Sequence, residues 1–103
     1  MIKRWVLLER TKIREECFGG IMRAPIQSAK MYRQSFYLLT PVEYRILELC
    51  CIPVTSQEIS RCISNEFEAD YGEVLIDVEE YLQKLLQLMV VNLKEEDGDD
   101  SDK

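Results

Sequence analysis

Cysteines and neighbouring glutamates are the residues of this sequence that could make a metal or catalytic site. No two cysteines are separated by two residues, the spacing that zinc sites favour, and the chain has no histidine to complete such a site. Cys50 and Cys51 are adjacent, so on a helix their side chains would point about 100° apart. We interpret all four cysteines as buried or half-buried thiols of a reducing compartment, with no metal bound. They are Cys17, Cys50, Cys51 and Cys62.

The carboxylate pairs Glu15-Glu16 and Glu79-Glu80 do not have the spacing of an acid/base couple. Neighbouring side chains point to opposite faces of a strand, and on a helix they diverge. The sequence also lacks a nucleophile elbow and a glycine-rich phosphate loop, because Gly19-Gly20 is an isolated pair. We predict that the protein is not an enzyme, has no catalytic residue and needs no cofactor.

Charge is distributed unevenly along the 103 residues of the chain. Residues 1–39 carry a net charge of +5, residues 40–93 carry −7 and residues 94–103 carry −4, within an overall net charge of −6. The 47% of apolar residues is enough for one hydrophobic core. We predict a single domain over residues 1–93 and an acidic disordered tail over residues 94–103. An acidic partner would favour the basic first third.

The apolar stretches are too short for a membrane or secretory segment. A membrane helix needs roughly 20 apolar residues, and a secretion signal needs roughly 7–15 near the N-terminus. The N-terminal stretch WVLL, at residues 5–8, is shorter than both. We therefore predict a cytoplasmic protein with no membrane partner.

The first 39 residues have the composition of β-strands. At the end of this part, Phe36 and Leu38 would lie on one face of a strand and Tyr37 and Leu39 on the other. Both faces are apolar there, so one of them would meet helices. The strand candidates are residues 5–8, 11–14, 21–22 and 30–39.

Residues 40–93 change to helical periodicity. The sequences TPVE at residues 40–43 and TSQE at residues 55–58 are capping boxes, and Pro53 ends the first helix between them. Asp77 predicts the start of a third helix, since the dipeptide YG at residues 71–72 breaks the apolar pattern. The order of elements predicts an α+β fold like a winged helix-turn-helix, in which a three-stranded antiparallel sheet is followed by three helices.

The helix order also raises the question of DNA binding. A recognition helix needs Lys or Arg to neutralise phosphates. The second helix offers only Arg61 and the third only Lys84, each among glutamates. We therefore favour a peptide over nucleic acid as the partner. The alternatives are a winged-helix DNA-binding or regulatory protein, and a structural subunit whose apolar sheet edge docks another protein permanently.

Four short motifs follow one another along most of the chain. REECFGGIM at residues 14–22 is followed by FYLLTP at residues 36–41, by TSQEI at residues 55–59 and by DVEEYLQKL at residues 77–85. Through this ordered set, residues 11–91 resemble the PqqD-like domains, which are also called RiPP recognition elements.

This resemblance implies a binding module that holds the leader segment of a ribosomally synthesised precursor peptide. The leader would add as a strand to the edge of the three-stranded sheet, beside the third helix. The implied partners are the precursor peptide and a modifying enzyme, for which the family favours a radical S-adenosylmethionine enzyme. A homodimer stays open as well, because an apolar strand edge is able to pair with a second copy.

The peptide-binding residues that the resemblance implies lie on the last strand and on the third helix. Among them, Val78, Leu82 and Leu85 fit the core best, while Tyr81 and Leu86 lie toward the margin of the apolar stripe. Lys30 and Arg33 would either meet acidic leader residues or remain solvated charges. The whole set is Lys30, Arg33, Ser35, Phe36, Tyr37, Leu38, Leu39, Val78, Tyr81, Leu82, Leu85 and Leu86.

The double glycine is explained by the sheet. We predict that Gly19 and Gly20 turn one strand into the next, because glycine accepts a positive φ angle. Phe18 would anchor this turn on the core. On this interpretation, replacing Gly20 by valine lowers the stability of the protein.

Overall fold

The structure is a computed structural model that describes residues 2–27 and 32–96, and side chains within residues 2–24 and 36–95. It is an α+β fold, as predicted, with a three-stranded antiparallel sheet followed by three helices. Two further strands form a second, two-stranded sheet. The elements are β1 (Ile2–Leu7), β2 (Lys12–Glu16), β3 (Gly19–Gln27), β4 (Tyr32–Leu39), α1 (Pro41–Leu49), α2 (Ser56–Glu66), α3 (Tyr71–Gln87) and β5 (Val91–Glu96). The winged helix-turn-helix class stays a prediction.

The three-stranded sheet has the order β2-β3-β4, so β3 is central and β4 lies at one edge. Every pairing is antiparallel, with Ile13 opposite Met22 and Met22 opposite Tyr37. Residues that lie opposite one another share a face of the sheet. The register therefore places Met22, Tyr37 and Leu39 on the inner face, toward the core, and Ile21, Phe36 and Leu38 on the outer face.

The second sheet joins the two ends of the described chain. β1 pairs with β5 in antiparallel register, from Ile2 opposite Glu96 to Leu7 opposite Val91. On its other side, Trp5 exchanges both backbone hydrogen bonds with Val54, at 2.7 and 3.0 Å. The N-terminal strand is therefore paired at the helical end of the molecule and not with β4.

The beginning of the predicted tail belongs to this second sheet. β5 runs to Glu96, so residues 94–96 of the predicted 94–103 tail lie in a strand. Residues 97–103 lie outside the described residues. None of the helices in the described part of the chain combines the length and the apolar character that crossing a membrane requires.

The first two helices begin where the sequence predicted. The side chain of Thr40 accepts from the backbone N–H of Glu43, whose own carboxylate accepts from the Thr40 N–H at 2.9 Å. Thr55 and Glu58 form the same reciprocal pair at the start of α2. Each box satisfies donors that a helix start otherwise leaves unpaired.

The predicted start of the third helix was wrong. α3 begins two turns earlier than Asp77, with Asp70 as its N-cap, and the Asp70 carboxylate accepts from the backbone N–H of Glu73 at 3.0 Å. Gly72 does not break the helix, because it lies in the first turn, where the cap already fixes the backbone. The seventeen-residue helix that results buries Val74 in addition to the predicted apolar positions.

One continuous core lies between the inner face of the three-stranded sheet, the three helices and the second sheet. Its most buried side chains come from every layer, so each layer stabilises the others by removing apolar surface from water. An ion-pair cluster supports the helices at the surface, where Arg45 of α1 binds Glu66 of α2 at 2.8 and 2.9 Å and Glu48 at 3.1 Å. The fully buried members of the core include Met22, Leu47, Ile59, Val78, Leu82, Leu85, Val90 and Val91.

Candidate functional site

Strand β4 is the edge that the structure offers for strand addition. It pairs with β3 along its whole length, from Gln27 opposite Tyr32 to Gly20 opposite Leu39. Among the described residues, no strand pairs with its other side. Alternate residues of an edge strand direct their backbone N–H and C=O groups outward, where they await a partner. The edge therefore has the hydrogen-bonding groups that an added strand requires.

The side chains of β4 differ sharply between the two faces. Phe36 is 67% exposed and Leu38 is 75% exposed on the outer face. On the inner face, Leu39 is buried and Tyr37 is half-buried against the core. Neighbouring apolar side chains that stay exposed to water on a strand edge do not stabilise the fold, and such exposed apolar surface is typical of a binding site.

Three predicted residues of this region have no described side chain. Arg33 and Ser35 lie in β4, opposite Ile26 and Ala24 of β3, and only their backbone positions are described. Lys30 lies outside the described residues. Their roles toward a peptide stay predictions.

The predicted residues of α3 divide into a buried group and a marginal group. Val78, Leu82 and Leu85 are fully buried in the core, as the sequence favoured. Tyr81 and Leu86 are half-buried and pack against the core from its margin. Of these five residues, only Tyr81 and Leu86 have exposed surface that another molecule could contact.

Tyr81 lies where α3 approaches α1. Its pKa is raised above the ordinary value, first by burial and then by the negative charge of Glu43. Glu43 belongs to the first turn of α1, directly after β4. The Tyr81 hydroxyl therefore stays protonated and able to donate a hydrogen bond.

The double glycine lies at the predicted junction, but its role differs from the predicted one. The turn consists of Cys17 and Phe18, and Gly19 and Gly20 are the first two residues of β3. Phe18 is 47% exposed and does not anchor the turn on the core, which corrects the prediction. A two-residue turn at the tip of a hairpin leaves its side chains pointing into solvent, and the close approach of β4 to Gly19 leaves no room for a bulky anchor.

Close packing explains why both positions are glycine. Gly19 has a φ angle of +142°, which other residues avoid. A Cβ atom there would lie 2.2 Å from the Leu39 carbonyl oxygen, and one on Gly20 would lie 2.4 Å from Cδ1 of Tyr44. The glycines therefore bring β3 against the junction of β4 and α1, which fixes the position of the edge strand.

Two other surface features were not predicted from the sequence. The first is the outer face of the three-stranded sheet, where Phe36 and Leu38 lie with cations of β2 and β3. The alternation of side chains between the two faces of each strand could have indicated this surface.

The second feature is a cleft of about 840 Å³ beside β1, in which Ser56 donates a hydrogen bond to Glu79 at 3.1 Å. The cleft is lined by Ile2, Lys3, Arg4, Trp5, Thr55, Ser56, Gln57, Ile76, Glu79, Glu80 and Gln83.

The described cysteines and carboxylates do not come together as a metal site. Across residues 2–27 and 32–96, no three Cys, Asp or Glu side chains converge on a point that could hold a metal ion. Burial raises the pKa of the Cys50 thiol to about 12, so that thiol is protonated and unreactive near neutral pH. Cys62 is half-buried, but Cys17 and Cys51 are exposed, so the prediction that all four thiols are buried or half-buried was wrong for these two. All four are free thiols.

One protein family matches most of this chain. A family model described as coenzyme PQQ synthesis protein D (PqqD) matches residues 5–91, which is most of the chain. Comparison with curated proteins gave no match, and comparison with solved structures gave none either. The matched residues run from the middle of β1 to the start of β5, so they include both β4 and α3.

Proposed function

Because this chain belongs to the PqqD family, we propose that it is a non-catalytic subunit that binds the leader segment of a ribosomally synthesised precursor peptide. It would present the remainder of that peptide to a modifying enzyme, which we propose is a radical S-adenosylmethionine enzyme. The family is one of accessory proteins in coenzyme PQQ synthesis, and this subunit would serve a peptide-modifying system of that general type.

The observation that carries the proposal is the unpaired edge of β4. An extended peptide gains affinity by completing the backbone hydrogen bonds of such an edge, and it gains specificity from the side chains on either face. The N-terminal strand, which could have covered this edge, pairs with β5 instead. Within residues 2–27 and 32–96 no strand covers this edge, and we propose that the peptide does.

The inner side of the bound peptide would lie toward α3. Tyr37 on β4 and Tyr81 and Leu86 on α3 are half-buried, so each keeps exposed surface, which we propose the peptide contacts. The buried residues beneath them, Leu39 and Leu82 among others, hold these side chains in place. A wall that is already ordered lowers the entropic cost of binding.

The charge on the helices disfavours duplex DNA as the partner. In α2 and α3, glutamates flank the exposed Arg61 and Lys84. A phosphate backbone would be repelled there. We therefore propose no nucleic-acid function.

A fluorescence anisotropy titration tests the proposal. The probes are fluorescein-labelled synthetic leader segments of any short peptides that the genes adjacent to that of this chain encode. We expect saturable binding, and we expect Leu86→Ala to weaken it on the order of tenfold, since a lost apolar contact of about 1.4 kcal/mol has that effect.

Gln87→Ala is the matched control, because Gln87 is the exposed neighbour of Leu86 at the end of the same helix. It should leave the affinity unchanged. Absence of saturable leader binding, together with tight binding of a labelled DNA duplex that weakens steeply with salt, would overturn the proposal.

A further inference from the structure

The register of the three-stranded sheet gathers two rows of side chains on its outer face. One row consists of Lys12, Arg23 and Phe36, which lie opposite one another on β2, β3 and β4. The next row consists of Arg14, Ile21 and Leu38. Directly opposite residues lie about 5 Å apart and belong to one surface. We call these six residues the outer patch.

The outer patch has apolar surface that the fold does not use. Phe36 and Leu38 are more than two-thirds exposed, and Ile21 beside them is half-buried. Residues one position away along the same strands, such as Met22 and Leu39, are buried in the core. A hollow of about 390 Å³ is lined by five residues of the patch, all except Leu38, and by Ile13.

The charge of the outer patch is opposite to that of the protein as a whole. Lys12, Arg14 and Arg23 are all exposed cations, in a chain whose net charge is −6. The acidic residue on this face is Glu16, which binds Arg14. Among the described residues, neither Lys12 nor Arg23 has an ion-pair partner. The patch is therefore suited to an acidic, partly apolar ligand.

We propose that the outer patch recognises the bound peptide, selecting an extended segment with apolar side chains at two alternate positions and an acidic side chain on the same face. This inference rests on the proposed function, because it concerns the peptide strand that pairs with β4. It adds a second recognition surface, on the side of the sheet away from α3.

Sheet geometry brings the peptide within reach of these side chains. A strand added to β4 lies about 4.8 Å from it, so its outward side chains stand directly beside Phe36 and Leu38. Arg23 is two strand spacings away, about 10 Å between backbones. An extended arginine and a glutamate are together long enough to meet across that distance, above the ring of Phe36.

Other occupants fit the outer patch less well. Two copies of this chain placed face to face would bring Lys12, Arg14 and Arg23 of each copy against like charges. Single-stranded nucleic acid favours several aromatic rings for base stacking, and the described patch offers Phe36 as its one aromatic beside two aliphatic residues. An acidic amphipathic strand matches both the charges and the apolar surface.

Selection from a random peptide display library tests the inference without knowledge of the natural ligand. The library is enriched on the full-length protein, and the enriched peptides are synthesised with a fluorescent label for anisotropy titration. Hydrogen exchange identifies those that protect the backbone amides of β4. The same selection is run on Arg23→Glu, on the double variant Phe36→Thr/Leu38→Thr, and on Arg61→Glu, which makes the same charge change on α2, away from the sheet.

We expect peptides that protect β4 to show alternating apolar residues and an acidic residue on one face. Arg23→Glu should replace the acidic preference by a basic one and weaken the wild-type peptides roughly fivefold. The threonine double variant should weaken them on the order of tenfold and remove the apolar alternation. Arg61→Glu should change neither preference.

The possible results separate this inference from the proposed function. If peptides protect β4 but the Arg23 and threonine variants select the same sequences as the wild type, the outer patch does not recognise the peptide, while the proposed function stands. If no peptide is enriched, or if the enriched peptides leave β4 unprotected, the proposed function fails and this inference fails with it.

Discussion

Replacing Gly19 by alanine should damage the fold at the junction that positions β4. Gly19 begins β3 with a φ angle of +142°, a conformation that L-residues rarely adopt. A Cβ atom there would lie 2.2 Å from the carbonyl oxygen of Leu39, 2.6 Å from the carbonyl carbon of Thr40 and 2.8 Å from the nitrogen of Pro41. All three are backbone atoms, so no side-chain rotation relieves the overlap.

The magnitude follows from these two effects. A non-glycine residue held in a sparsely populated backbone region costs of order 1–3 kcal/mol. The overlap adds a further cost of about 1–3 kcal/mol, as overpacking does when the backbone must shift. We expect a loss of about 3 kcal/mol in the free energy of unfolding, which for a domain of this size lowers Tm by about 12 °C or more.

Gly72→Ala is the matched control for this substitution. Gly72 lies in the first turn of α3, and the nearest atom to an added Cβ would be a carboxylate oxygen of Asp70 at 3.4 Å, an ordinary contact. Alanine there should leave stability unchanged or raise it by up to about 1 kcal/mol. Thermal and urea unfolding followed by circular dichroism measure both variants. A Gly19→Ala protein within about 0.5 kcal/mol of the wild type would refute the reasoning.

Three further substitutions test other parts of the structure. Gly20→Val should lower the free energy of unfolding by about 1–3 kcal/mol in urea denaturation, because its Cβ would lie 2.4 Å from the ring of Tyr44; an unchanged urea midpoint would contradict this packing. Thr55→Ala should cost about 1 kcal/mol by removing a helix cap, and a loss no larger than that of an exposed Ser→Ala change would count against the capping box. Arg45→Ala should reduce stability at pH 7 but not in strong acid, because Arg45 holds the pKa of Glu66 below its usual range. The ion pair stabilises the fold above the pKa that Glu66 has in the unfolded chain, and this stabilisation is lost as pH falls through the lowered pKa of the folded state. A difference between the wild-type and Arg45→Ala urea midpoints that persists at pH 2 would show that the ion pair is not its source.

Local signals in the sequence were sufficient for the two helices that begin with a capping box. The capping boxes at Thr40 and Thr55 appear where predicted, because a cap depends on residues within one helical turn. The start of α3 was not predicted, because Gly72 suggested a break in the helix. A glycine in the first turn of a helix that Asp70 caps lowers the stability of that helix only slightly.

Long-range pairing was the part that the sequence did not reveal. β5 contains Lys94, Glu95 and Glu96, which resemble the beginning of a solvated tail. Its strand structure depends on β1, almost the whole chain away, and no local pattern reports such a partner. The same limitation explains why the outer patch was not predicted, since it requires the register of three strands.

The sequence indicated which residues could form the candidate site, but it did not show which of them are buried in the core and which are exposed. Alternation correctly separated Phe36 and Leu38 from Tyr37 and Leu39. It did not show which face would be buried, because both faces are apolar. On α3, the width of the apolar stripe correctly suggested a buried centre and a margin with Tyr81 and Leu86, which are half-buried. The structure adds that the charge of Glu43, in the first turn of α1, acts on Tyr81.

Hydrogen–deuterium exchange of the protein with and without a saturating leader peptide tests most directly whether the peptide pairs with β4. We expect slower exchange at the backbone amides of β4, Tyr32–Leu39, with the opposite sheet edge, β2, unchanged as an internal control. Slower exchange at β2 or along β1 with β4 unaffected would contradict the claim that the peptide completes the sheet at β4.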